Sequence, residues 1–180
     1  MGRNFFIFVG MLRYYKCLDY LLAAASQVKL PNVIVGKDQE GERLRREDAA
    51  HLLDNVHFFG AVPVAYKQAM FALRHGVVFL SHLRSDAFGM TLLEGAKAAK
   101  PLIWCEIGKG TYWVNRRGET GLVVPPANAA ALAQAMNTLA NDDEPCLQLD
   151  RGAKARWQQC FTPEIVGAAY RKMYDDLPLV

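Results

Sequence analysis

The strongest constraint on this chain is an alternation of short apolar runs with helix-length amphipathic segments. Six runs, Phe5–Val9, Asn32–Val35, Val56–Phe59, Gly76–Leu80, Leu102–Cys105 and Leu122–Val124, are rich in β-branched and aromatic residues. They are too short for buried helices and read as strands. Their apolar character runs on without polar alternation, which marks strands covered on both faces, as in parallel sheets. Most end in Gly, Ser or Pro, which let the chain turn out of a strand. Between them, helices are predicted over Lys16–Ser26, Glu42–Leu53, Val64–Leu73, Met90–Ala99 and Ala129–Ala140. The first of these places Leu18, Leu21, Leu22 and Ala25 on one face, and Asn128 stands where it can cap the last. After Pro145 the alternation stops and two consecutive helices are predicted, Leu147–Gln159 and Pro163–Asp175, the second with Thr162 as N-cap and Pro163 in its first turn. The fold class expected is therefore α/β: a doubly wound, six-stranded parallel sheet with helices on both faces and two extra C-terminal helices.

At 180 residues the chain suits one core, so residues 1–180 are read as a single domain. With 21 basic and 18 acidic residues spread along it, the net charge of +3 has no clustered basic face, which argues against nucleic acid as a partner. Cys17, Cys105, Cys146 and Cys160 form no CxxC or CxxH pair, so neither a zinc site nor a disulfide scaffold is expected, only reduced and mostly buried thiols. No apolar run approaches the ~20 residues that span a bilayer. Asn4–Gly10 lacks a basic start and cleavage site, and a cytoplasmic chain is expected.

A doubly wound sheet holds its ligand outside the C-terminal strand ends, where strand order reverses. The loops there carry the unusual residues. The segment SHLRSDAFGMTLLEG (residues 81–95) leaves the fourth strand, passes Asp86, turns at Phe88 and Gly89, and enters a helix bearing Glu94 about one turn in. The free N–H groups of Gly89, Met90 and Thr91 would point at an anion, and the helix dipole adds partial positive charge, so a phosphate site is the natural use. A plainer reading stays open for each side chain: Asp86 as a solvated carboxylate or helix cap, Lys16 as an exposed lysine at a helix start. Glu94 lies between Leu93 and Ala96 on an otherwise apolar helix, where an acid sits poorly unless something pairs it.

This segment resembles the E-x7-E motif of the retaining group 1 (family 4) glycosyltransferases. Four further segments resemble that family's motifs in the same order: FVGMLRYYKCLD (8–19), NVHFFGAVP (55–63), GKGTYWVN (108–115) and ETGLVVPP (119–126). The resemblance covers about residues 4–140. It implies the two-domain GT-B fold, of which this chain looks like the C-terminal, donor-binding, Rossmann-like half, with the N-terminal acceptor-binding domain absent. The implied partner is a nucleoside-diphosphate sugar, a UDP- or GDP-sugar, and the implied reaction is retaining transfer of a hexosyl group to a glycan or lipid-linked acceptor. A lipid-linked acceptor would place the chain at the inner face of the membrane, in polysaccharide or lipopolysaccharide biosynthesis. Neither a cofactor nor a metal is implied.

Residue by residue, the resemblance implies that Glu94 accepts hydrogen bonds from the donor's ribose. Lys16 meets the diphosphate, and the amides of Met90, Thr91 and Leu92 bind it at the helix start beside Gly89 and Phe88. Asp86 falls at the motif's first acid and contacts the donor sugar. Cleaving the glycosyl–phosphate bond builds negative charge on the leaving phosphate, which fixed cations and oriented amides stabilise. Met11 stands where the family has arginine, and Arg13, two residues on, is the alternative cation. Cys17 replaces the usual glycine, and Asp86 is one methylene shorter than the family's glutamate. Base recognition is expected near Gly36–Asp38 and Gly60–Pro63. The final helices are expected to expose apolar surface toward the absent half. Rival readings are a non-catalytic nucleotide-sugar-binding or regulatory module and a phosphorylase or epimerase of the same fold. A dinucleotide oxidoreductase is disfavoured because the first strand's turn lacks GxGxxG.

Overall fold

The computed structural model describes residues 4–79, 89–108 and 110–177. Strands β1 (Asn4–Val9), β2 (Asn32–Val35), β3 (Val56–Gly60), β4 (Arg74–Phe79), β5 (Leu102–Cys105) and β6 (Gly121–Val124) pair in parallel, in the order β3-β2-β1-β4-β5-β6. The chain steps outward from β1 to β3, then crosses back and steps the other way from β4 to β6. The order therefore reverses between β1 and β4.

Side chains along each strand point to alternate faces, and both faces are covered. Phe6, Phe8, Ile34 and Ile103 pack beneath α1 (Leu18–Ala25), α2 (Gly41–Ala50) and α6 (Ala129–Asn141), against Leu21, Leu22, Leu44 and Met136. Phe5, Ile7, Val33, Leu102 and Trp104 pack on the other face beneath α3 (Val64–Ala72), α4 (Met90–Lys97) and α7 (Asp143–Cys160), against Phe71, Leu92 and Ala153. Each such side chain contributes about 1.5–3 kcal/mol of transfer free energy, and this explains why the strand runs carry so few polar residues.

Several boundaries differ from expectation for local reasons. The helix expected over Lys16–Ser26 is split: Tyr14–Lys16 forms a 3-10 turn, Cys17 turns left-handed (φ 49°, ψ 44°), and α1 starts at Leu18. The helix expected from Leu147 begins at Asp143, where Asp142 caps it by accepting from the Glu144 amide at 3.0 Å. Pro145 sits in the first turn, where no N–H is needed. A short helix, α5 (Thr111–Val114), was not anticipated. The caps predicted for α6 and for α8 (Pro163–Asp175) are present: Asn128 accepts from Ala131 at 2.9 Å and Thr162 from Ile165 at 3.4 Å. None of the four cysteines is in a disulfide; Cys105 and Cys146 are buried, Cys17 and Cys160 only half-buried. Among the described residues no helix is long and apolar enough to cross a membrane.

Candidate functional site

A doubly wound sheet offers its crevice where the order reverses, outside the ends of β1 and β4. Helix α4 begins there. Gly89 precedes it in the left-handed region (φ 72°, ψ 57°), and a Cβ at this position would come within 3.0 Å of the Leu92 side chain and 3.5 Å of Thr111. Only glycine takes both the angle and the space without strain. The first helical hydrogen bonds are donated by Leu92 and Leu93 to the Gly89 carbonyl, at 2.8 and 3.4 Å. The amides of Gly89, Met90 and Thr91 come before them and face out of the helix start, where the dipole favours an anion. Thr91 donates its hydroxyl to the Val9 carbonyl at 3.0 Å, pinning this start to the end of β1. Leu92 is fully buried beneath it, whereas Met90 is exposed.

From Val9 the chain runs through Gly10, whose amide donates to Val35 at 3.0 Å, into the turn bearing Lys16. Lys16 is half-buried, its ammonium 5.4 Å from the centroid of the Tyr15 ring. Cys17 follows in a left-handed conformation that costs a residue with a Cβ about 1–2 kcal/mol; hence the glycine in the motif this segment resembles. Arg13 is held by an ion pair to Asp38, which also accepts from the Gln39 amide at 2.8 Å. The guanidinium thus ties the loops after β1 and β2 together. Met11, where an arginine would stand, is 57% exposed. The two segments expected near the base are joined by a hydrogen bond of 2.8 Å from Gly36 to Gly60.

Glu94 lies one turn beyond Met90 on the same helix face. It is half-exposed, and its carboxylate accepts from the Lys67 ammonium of α3 at 2.6 Å. The unease of an acid on this helix is resolved by that lysine, 27 residues upstream, a distance over which sequence spacing says nothing. A second residue the sequence reading missed is Arg156 on α7. It is buried (7% exposed), donates to the carbonyls of Val114 (3.0 Å) and Trp113, and holds its guanidinium over the Trp113 and Phe161 rings, 5.8 and 5.7 Å from their centroids. Arg156 thereby holds the end of α5, whose Thr111 borders Gly89. Asp86 and Phe88 lie outside the described residues. Among the described residues no cluster of three His, Cys, Asp or Glu side chains could hold a metal.

A family model described as "Glycosyl transferases group 1" matches residues 1–156. The O-antigen chain mannosyltransferase C of Escherichia coli is 46% identical over 177 residues, covering 98% of this chain and 48% of that protein. Among solved structures, Anabaena HepE in complex with UDP matches with a TM-score of 0.87 at 21% identity, covering 97% of this chain and 50% of that one. The C-terminal domain of a group 1 glycosyl transferase, LpcC of Francisella tularensis, matches with a TM-score of 0.76 at 17% identity, covering 88% of this chain and 87% of that one. At these identities the structural matches are a likeness of fold. The chain spans about half the length of the curated relatives it matches.

Proposed function

This chain belongs to the group 1 glycosyltransferase family, and we propose that it is the donor-binding C-terminal half of a retaining hexosyltransferase. The observation that carries this reading is the start of α4: three outward-facing amides behind Gly89, pinned by Thr91 to the end of β1, at the reversal of strand order. A nucleoside diphosphate laid on those amides has its charge met by the helix dipole and by Lys16 on the neighbouring turn. Glu94, one turn along, accepts the ribose hydroxyls. Asp86, placed by its position in the motif, accepts hydroxyls of the sugar. When the bond from the anomeric carbon to the diphosphate breaks, the leaving oxygen takes the electron pair. The amides and the ammonium stabilise that charge without needing to reorganise, and an acceptor hydroxyl then bonds the anomeric carbon on the face just vacated, passing its proton to the leaving phosphate oxygen.

The acceptor site belongs to an N-terminal half. Helix α8 supports this division: it buries none of its residues and leaves Tyr170, Met173 and Tyr174 exposed, an apolar face that a further body would cover. The mannosyltransferase relative makes a mannosyl donor the first to test, and a lipid-linked or glycan acceptor in surface polysaccharide synthesis is the corresponding setting. Alone, the 180-residue chain binds donor and transfers essentially none of it.

A thermal-shift panel of UDP, GDP, ADP and their sugars tests the reading. One nucleotide family should stabilise the fold by about 2.7 kcal/mol at 100 times its Kd, and Glu94→Ala and Lys16→Ala should each lose about half of that shift or more. Absence of any shift would instead support a non-catalytic module, the reading favoured by Met11 in place of an arginine.

A further inference from the structure

The structure assigns to Lys67 a positioning role: its ammonium fixes the Glu94 carboxylate in the orientation that receives the donor's ribose. This rests on the reading of Glu94 given above. The ion pair is not a loose surface contact. It joins two separate helices, α3 and α4, at 2.6 Å, with the lysine side chain only 21% exposed. It lines a groove of about 360 Å³ together with Gln68, Phe71, Lys97 and Ala98. Phe71, one turn from Lys67 on α3, is buried and lines the same groove. The other cation of the groove, Lys97, directs its ammonium over the Trp157 ring at 5.8 Å.

The arrangement divides the carboxylate's work. The ammonium of Lys67 engages Oε1. A carboxylate can accept several hydrogen bonds, and capacity remains for hydroxyls arriving from the helix start one turn away. A long glutamate side chain loses considerable rotamer freedom when a ligand immobilises it. Lys67 imposes that order beforehand, so the ribose meets an acceptor already in place. Its effect should fall on recognition of the ribose hydroxyls and leave the diphosphate contacts at the α4 start untouched.

Calorimetric titration of the 180-residue chain with UDP and GDP, and with their 2′,3′-dideoxy counterparts, separates these contributions. For whichever nucleotide binds, the wild type should prefer the ribose-bearing form by about tenfold, the scale of a hydrogen bond to a charged group. Lys67→Met should cut that preference below about twofold while leaving affinity for the dideoxy form unchanged, and Glu94→Gln should weaken it in parallel. Lys67→Arg should restore most of it. Circular dichroism and a ligand-free melt establish that each variant is folded, and Lys67→Gln serves if the methionine variant is not. Full retention of the preference in folded Lys67→Met overturns the proposal, leaving the pair as a helix–helix contact. Equal weakening toward both forms also overturns it, since Lys67 would then touch the ligand directly. A wild type with no preference for the ribose-bearing form overturns the reading of Glu94 itself, and this proposal with it.

Discussion

Replacing Gly36 by alanine should destabilise the fold by about 3 kcal/mol, the scale of mutations that force strained backbone and break buried hydrogen bonds together. Gly36 has φ 153°, and a Cβ built there overlaps the carbonyl oxygen of Gly10 and comes within 3.4 Å of Leu12. Its amide donates to Gly60 at 2.8 Å, while Gly10 donates to Val35 at 3.0 Å. The chain therefore leaves β1, β2 and β3 through three glycines whose backbones are nearly in contact, and no side chain can yield to make room. Relieving the overlap moves the segment from Gly10 to Lys16, so nucleotide affinity should fall along with stability. Gly60→Ala is the matched control: φ is 67° there but nothing lies within 4 Å of the added Cβ. It should cost only about 1 kcal/mol of left-handed strain. Urea denaturation of both variants measures the difference; equal costs would contradict the account of Gly36.

Arg156→Ala should lose about 3 kcal/mol as well, through a different mechanism. The guanidinium is buried and supplies charged donors to the carbonyls of Val114 and Trp113, which the substitution leaves without them. It also removes the planar cation that faces the Trp113 and Phe161 rings. Lysine should not rescue the loss, because a point ammonium cannot satisfy two carbonyls and stack at once. With α5 loosened, Thr111 no longer backs Gly89, and nucleotide affinity should drop although Arg156 belongs to a different helix from the site. Melting curves of Arg156→Ala and Arg156→Lys check the first claim. Amide exchange of residues 110–115 checks the second.

The sheet and most helices were legible because they rest on local signals. Continuous apolar runs such as Leu102–Cys105 identify doubly covered strands, and Asn128 and Thr162 identify helix starts from one side chain each. The left-handed break at Cys17 was not legible: it separates a 3-10 turn from α1 inside a stretch whose apolar spacing is helical throughout. Nor was the start of α7, because Pro145 reads as a terminator until its place in a first turn is known. For the site, the helix start at Gly89 could be read from sequence because a glycine before an apolar helix has few other uses. The partners could not. Arg13 with Asp38, Glu94 with Lys67 and Arg156 with α5 join residues 25, 27 and about 42 positions apart, and only the crossing order of the strands brings them together.

The central claim is that the amides opening α4 hold the donor's diphosphate, and following backbone amide resonances during titration with UDP and with GDP addresses it most directly. For the nucleotide that binds, the account predicts saturable changes that are largest at Gly89, Met90, Thr91 and Leu92, with smaller ones around Lys16. Saturable binding that leaves those four amides unmoved and concentrates its changes elsewhere would contradict it.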